Sequence, residues 1–558
     1  MKQHYIMPVG VDDFRRVREE YYYVDKTNFI KSLIDGHSQA TLITRPRRFG
    51  KTLALSMLYY FFTMENAKYN RVLFEGTDIE KAGEKYMALQ GSKPTVLVSF
   101  KDIKQLNFSD MIMDFGYLMQ HLYRSCKYLL ESEYLDDTEK KYFGLILSRR
   151  ANDIDLQKSL KNLTTWLCRY HKKPALVLID EYDAPIQYAF DNGYYNEAVT
   201  FMRNYLSSVL KSNPDLDFAI LTGVLRIAKE SIFSSLNNLE TASVALGRYQ
   251  NVMGFDDNEI KQIAEDFHCS EKLSEIEKWY DGYNFSGVNV YNPWSVINYI
   301  LHDCKPSIYW LNTSANSILK ELLKRTDKKQ AQELHSLLQG GSVSATINEG
   351  VIYSDIYKNS DALYTMLLTT GYLTQASEIN NEEYDDTIEL RIPNREVRTV
   401  YEKEIINRIN EMDGNPKLLY LLKALLSGDV ESFSEELNDY LFALVSYYDT
   451  ANKESFYHGF VLGLMALLSR KYKILSNRES GYGRFDVAIF PDDKNKNGVI
   501  MEFKVAKNES ELSQTAKNAL SQIDNMEYVS EFKSKGIVHV WKYGIAFCGK
   551  KCEIAVLV

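Results

Sequence analysis

The run Phe485-Asp486-Val487-Ala488-Ile489-Phe490 enters a turn rich in Pro, Asp, Asn and Gly, and Val499-Ile500-Met501-Glu502-Phe503-Lys504-Val505 follows. Both apolar runs read as short strands, yet they carry ionisable groups where a buried sheet should tolerate none. Side chains alternate between faces along a strand, so Glu502 and Lys504 share one face while Met501, Phe503 and Val505 take the other. Asp486 is likewise flanked by apolar Phe485 and Val487. The turn formers at 491–498 predict a hairpin, which sets two carboxylates and one ammonium side by side. Burying such charges is costly unless they are paired or hold a metal. Two carboxylates suit a hard cation, Mg²⁺ with Mn²⁺ as a substitute. Lys504 beside them would orient or polarise a water against a phosphodiester. On an exposed strand edge the same Glu-x-Lys would be a cross-strand ion pair.

A second site stands near the other end of the chain. Ala40-Thr41-Leu42-Ile43-Thr44 is a β-prone run, followed by Arg45-Pro46-Arg47-Arg48-Phe49-Gly50-Lys51-Thr52 and a helical pattern over 53–62. Strand, loop, Gly-Lys-Thr and helix is the P-loop context. Gly50 opens the helix N-terminus to phosphate oxygens, Lys51 reaches the terminal phosphates of ATP, and Thr52 ligates its Mg²⁺. Arg45 stands where the first glycine of that motif is expected. Arg47 and Arg48 either contact phosphates or face a neighbouring domain. The apolar strand Ala175-Leu176-Val177-Leu178-Ile179 ends in Asp180-Glu181, as a buried parallel strand does. Asp180 is expected to hold Mg²⁺ through water and Glu181 to orient the attacking water. A third strand ends in Thr222, either a γ-phosphate sensor or an ordinary strand-end residue.

Asp486 with Glu502-x-Lys504 resembles the PD-(D/E)XK nuclease superfamily. The flanking stretches Asn477–Arg484 and Ala519-Leu520-Ser521-Gln522-Ile523 resemble motifs of one branch of it, which implies a role for Gln522 and for Glu479. Glu454 matches an upstream helix acid of that branch or is a solvated helix residue. Over nearly its full length the chain is similar to AAA-ATPase-like proteins with a C-terminal PD-(D/E)XK nuclease domain. The segments that carry this are Tyr22-Tyr23-Val24-Asp25-Lys26-Thr27, the 45–52 loop, Ser231–Asn238, Trp279-Tyr280-Asp281-Gly282-Tyr283, Tyr291-Asn292-Pro293-Trp294-Ser295, Gly371-Tyr372-Leu373-Thr374 and Ile392-Pro393-Asn394-Arg395-Glu396. Within that family the missing glycine is normal. The resemblance implies an ATP-regulated, Mg²⁺-dependent nuclease acting on nucleic acid, with DNA preferred, and a dimer or larger assembly. The domain order is also similar to STAND-type ATPases, and by that analogy the biology is defence against mobile elements. The alternative is a nucleotide-dependent switch or scaffold that binds nucleic acid without cutting it.

At 558 residues the chain has room for three or four domains. The expected fold class is multidomain α/β, with a P-loop core at 1–246 and a helical lid at 247–340. A winged-helix-like module at 343–412 and an α/β restriction-endonuclease-like domain at 419–558 complete it. The acidic turn 381–386 would repel phosphate, so a structural role is expected for the winged-helix-like module. With a net charge of −9 the whole-molecule field does not attract nucleic acid. Binding must use a local patch, for which Arg470, Lys471, Lys473, Lys494, Lys496 and Lys507 are candidates. Six cysteines without a C-x-x-C pair read as reduced thiols rather than a zinc framework. No signal peptide and no apolar run of membrane-spanning length is evident, so a cytoplasmic location without membrane contact is expected.

Overall fold

The computed structural model describes residues 6–226, 238–310, 319, 333–334, 336–338, 340–348, 350, 360–376, 387–401, 403–404, 417–444, 454–465, 468, 472–480, 483–525 and 528–557. At 417–419, 443–444, 454–456, 459, 462–463, 476–480 and 483–484 the description is of the backbone alone. The chain divides into two compact units. Unit 1 comprises Met1–Ile318 and Ser342–Val397, and unit 2 comprises Leu319–Gly341 and Arg398–Val558.

Unit 1 is built on a parallel sheet of β1 (Ala40–Thr44), β2 (Thr95–Ser99), β3 (Ala175–Asp180), β4 (Leu216–Gly223) and β5 (Leu239–Ala242), in the order β2-β3-β4-β1-β5. β1 and β3 are buried along their whole length, as unbroken apolar strands covered on both faces must be. Because β4 lies between β1 and β3, the carboxyl ends of all three meet at one place, where ligands of open α/β sheets bind. The long helix α1 (Lys51–Phe62) leaves the end of β1. Beyond this sheet, β6 (Tyr283–Phe285) and β7 (Val288–Val290) form a hairpin ahead of helix α2 (Pro293–Leu301), so the region expected to be a helical lid also contains β-structure. Farther on, β8 (Val343–Thr346), β9 (Thr374–Gln375) and β10 (Thr387–Arg391) make a small antiparallel sheet in the order β8-β10-β9. The helix Ser360–Thr370 is buried along most of its length and contacts this sheet.

Unit 2 contains helix α3 (Glu454–Met465) and a five-stranded mixed sheet of β11 (Tyr472–Ser480), β12 (Gly483–Pro491), β13 (Gly498–Val505), β14 (Val540–Cys548) and β15 (Lys551–Leu557), in sequential order. The expected hairpin is β12–β13, paired antiparallel from Ile489↔Val499 to Val487↔Met501. β13 and β14 are parallel and are joined through helix α4 (Leu512–Asn525), because parallel neighbours need a crossover. α4 lies close against β14: a Cβ on Gly544 would stand 2.3 Å from the carbonyl oxygen of Ala516. Each sheet face has its own core. Val487, Met501, Phe503, Tyr543 and Phe547 pack on one side with Tyr457 and Val461 of α3. Phe485, Ala488, Ile500 and Ile523 pack on the other.

Candidate functional site

The loop between β1 and α1 is braced from beneath by Arg45. Its side chain is fully buried and donates to the carbonyl oxygens of Thr44 (2.8 Å), Ala242 (3.0 Å) and Tyr249 (2.7 Å) and to Oε1 of Gln250 (3.1 Å). Burial pushes the guanidinium down to about 9, so it remains charged at neutral pH. The residue in the glycine's place therefore faces the protein and ties the loop to the segment after β5. Gly50 takes the left-handed conformation (φ 86°) and no side chain caps the first turn of α1, which leaves helix N–H groups available to an anion. Lys51 is buried and its Nζ donates to the carbonyls of Arg45 (3.0 Å) and Pro46 (2.9 Å). Burial lowers its pKa, and Glu181, Asp180 and Asp183 oppose that shift.

Asp180 gathers the ends of the strands. Thr52 Oγ1 donates to its Oδ2 at 2.8 Å, Thr222 Oγ1 to its Oδ1 at 2.6 Å, and Ser99 Oγ to Oδ2 at 3.4 Å. Thr52 and Asp180, the two residues expected at a nucleotide-bound cation, are thus in direct contact. Glu181 sits in the left-handed region (φ 49°), a costly conformation for a side-chain-bearing residue and one that clusters at functional sites. Burial raises its pKa, with Lys51 pulling the other way. A cavity of about 320 Å³ opens beside the loop, lined by Gly50, Lys51, Thr52 and Glu181 and walled by apolar groups including Pro8, Val24 and Ile297. That volume lies at the small end of ligand pockets. The helix N-terminus, the lysine and the Thr52–Asp180 pair suit a nucleotide and its Mg²⁺. Arg47 Nη2 donates to Gln187 Oε1 at 3.0 Å. Arg48 also lines the cavity, and its guanidinium stacks 4.3 Å above the Trp294 ring.

In unit 2 the β12–β13 ladder stops at Val487↔Met501, and one further step of the same register would oppose Asp486 to Glu502. There the carboxylate takes over from the backbone, and Asp486 Oδ2 accepts from the Phe503 N–H at 2.8 Å. The strict alternation read from sequence fails at this residue. Phe485 packs on the α4 side and Val487 on the opposite side, although β12 keeps one register with β11 across this residue. Burial raises the Asp486 pKa, opposed by the Phe503 N–H, His458 and Lys504. Glu502 is only 4% exposed, and Gln522 of α4 donates its amide to Glu502 Oε1. The structure therefore brings Gln522 to Glu502 and places Lys504 in the field of Asp486.

His458 of α3 was missed in the sequence. Its Nε2 lies 2.9 Å from the Asp486 carbonyl oxygen and must be the donor, while its ring meets Phe503 edge-on at 5.7 Å. The signal available was its place in the stretch that holds Glu454. The side chains of Glu454 and Glu479, with Arg470, Lys471, most of 231–238 and the 381–386 turn, lie outside the described residues. Among the described residues no group of three or more His, Cys, Asp or Glu side chains clusters as metal ligands.

Residues 8–233 match the family model described as a predicted AAA-ATPase, and residues 452–556 match that of the PD-(D/E)XK nuclease superfamily. The chain joins an AAA-ATPase-like domain to a PD-(D/E)XK nuclease superfamily domain. Along 544 residues, 95% of this chain and 94% of the other, it is 25% identical to an uncharacterized protein in the vnfD 5' region of Azotobacter chroococcum mcd 1. The AAA-ATPase-like match contains the 45–52 loop, Asp180, Glu181 and Thr222. The nuclease match contains His458, Asp486, Glu502, Lys504 and Gln522. Among the described residues no helix is long and apolar enough to cross a membrane.

Proposed function

We propose that the protein is an ATP-regulated, Mg²⁺-dependent nuclease that hydrolyses phosphodiester bonds in nucleic acid, DNA foremost. The observation that carries this reading is the interruption of the β12–β13 ladder at Asp486. It leaves the Asp486 carboxylate in the field of Lys504 and bonded to the N–H of Phe503, the neighbour in sequence of Glu502, which Gln522 engages. Asp486 and Glu502 would hold the cation, which neutralises charge on the scissile phosphate. Lys504 orients the attacking water and offsets the charge that develops on the phosphoryl oxygens. Gln522 fixes the Glu502 carboxylate, and His458 holds the main chain at Asp486.

In the AAA-ATPase-like domain, Lys51 would exchange its carbonyl partners for the terminal phosphates of ATP, Thr52 and Asp180 would hold its cation, and Glu181 would orient the hydrolytic water. Gly50 lets the loop approach the phosphates. Exposed Lys473, Lys494, Lys496 and Lys507 supply local positive charge for a nucleic-acid backbone despite the acidic whole. Binding should therefore weaken steeply with salt. Extension to foreign DNA as the substrate rests on analogy of domain order with STAND-type ATPases.

The test is cleavage of supercoiled plasmid and single-stranded circles with Mg²⁺, with and without ATP, using wild type beside Lys504→Ala. Cutting by wild type alone supports the reading, and ATP dependence establishes the coupling. If neither protein cuts any substrate while both retain ATP and nucleic-acid binding, the chain is a nucleotide-dependent switch instead.

A further inference from the structure

Arg48 takes the left-handed conformation (φ 69°) and reaches away from the sheet. Besides stacking on Trp294, its Nη1 donates to the carbonyl oxygens of Tyr309 (2.9 Å) and Trp310 (3.2 Å). The contact is reciprocated: the Trp310 indole N–H donates to the Arg47 carbonyl at 3.3 Å, and the Trp294 indole N–H to the Tyr309 carbonyl at 2.9 Å. At the centre lies Glu396, 1% exposed. Its Oε1 accepts from the backbone N–H groups of Tyr309 (2.6 Å) and Trp310 (2.7 Å), and its Oε2 accepts from Ser295 Oγ at 2.7 Å. Arg48 is the cation that faces it. The neighbouring segment is held as tightly: a Cβ on Gly282 would meet the Pro393 carbonyl oxygen at 2.0 Å, and Arg395 stacks 4.8 Å over Trp279.

The Glu396 carboxylate thus ties the end of the 392–396 stretch to the start of α2 and to the 309–310 segment, which in turn is bonded to the 45–52 loop through Arg48 and Trp310. The chain leaves unit 1 after Ile318, eight residues beyond Trp310, and again after Val397, next to Glu396. The exit after Val397 toward the nuclease-bearing unit therefore begins beside this hydrogen-bonded cluster. A buried carboxylate that satisfies two main-chain N–H groups is expensive to disturb. Movement of the loop at Arg47 or Arg48 must therefore shift these segments or break their bonds. We propose that Glu396 is a positioning residue that couples the nucleotide-binding loop to the 309–310 segment and to the 392–397 segment, the second of which leads into the nuclease-bearing unit, so that nucleotide occupancy is reported there. This rests on nucleotide binding at the 45–52 loop and goes beyond it in naming the route.

The experiment is hydrogen exchange of the full chain with and without saturating Mg²⁺ and a non-hydrolysable ATP analogue, with affinity measured separately by calorimetry. In wild type, the analogue should slow exchange in peptides covering 303–310 and 387–398 by about threefold or more. Glu396→Ala should bind the analogue yet lose that response, and Glu396→Gln, which keeps an acceptor for both N–H groups, should restore about half of it. Should Glu396→Ala fail to fold, Trp310→Phe removes only the indole bond to Arg47 and should halve the response at 303–310. Wild type that binds the analogue with no change in either segment overturns the proposal alone, as does a full response in Glu396→Ala or, where that variant does not fold, in Trp310→Phe. Wild type that does not bind the analogue overturns the nucleotide reading and the proposal with it.

Discussion

The two candidate sites carry their charge in opposite ways. In the AAA-ATPase-like domain, Asp180 ends an unbroken parallel strand and is met by hydroxyls from neighbouring elements, while Lys51 folds back on the carbonyls of its own loop. In the PD-(D/E)XK nuclease superfamily domain, the β12–β13 pairing ends at Asp486, whose carboxylate substitutes for a ladder acceptor. The first arrangement keeps regular structure intact up to the site and lets ligand atoms replace internal partners one for one. The second gives up regular pairing to place carboxylates in a protein interior, where burial raises the Asp486 pKa. The proposed phosphate site is assembled at the ends of secondary structure, whereas the proposed cation site lies where a strand pair ends.

The sharpest break in that comparison comes from Lys504→Ala. It should lower Mg²⁺-dependent cleavage by about 10³-fold and leave ATP affinity unchanged by calorimetry; equal losses in both would mean a folding defect. Next in size, Glu181→Gln should slow phosphate release by about 10²-fold without reducing nucleotide binding. An unchanged rate would show that hydrolysis does not run through Glu181. A smaller effect separates stability from function. Asp486→Asn relieves a buried charge while keeping an acceptor for the Phe503 N–H. Without metal it should raise the melting temperature of the unit-2 transition by roughly 3 °C, for about 1 kcal/mol. A lower melting temperature would contradict the cost assigned to that charge.

The mildest test uses pH. Burial lifts Glu396 from its ordinary 4.5 to about 7, so between those values the folded state holds a proton that the unfolded chain has released. Its contribution to stability is present below about pH 4.5 and is lost as pH rises through about 7. Melting of unit 1 should show a downward slope across that window, and Glu396→Gln should flatten it.

The same contrast explains what the sequence disclosed. Apolar strands ending in Asp180 and in the 45–52 loop are continuous in sequence, so the parallel core and its ligand-binding end are readable from them. The β12–β13 hairpin and the Asp486, Glu502 and Lys504 positions are readable for the same reason. The break in alternation at Asp486 was not, because alternation presumes an undistorted strand and here Phe485 and Val487 pack on opposite faces. The role of Arg45 in the glycine's place was not readable, because sequence cannot show a side chain turned inward to Ala242, Tyr249 and Gln250. His458 and Glu396 were hidden by distance: their partners lie 28 residues away at Asp486 and 86 or more away at Ser295, Tyr309 and Trp310.

The most direct measurement is a calorimetric titration of Mg²⁺ into the full chain without nucleotide, comparing wild type with Asp486→Asn, Glu502→Gln and Asp180→Asn. Asp180 already accepts from Thr52 and Thr222, so its loss should leave the binding heat intact, while either nuclease-domain substitution should remove it. Heat that survives in Asp486→Asn and Glu502→Gln but disappears in Asp180→Asn would contradict the assignment of the cation site to the broken strand pair.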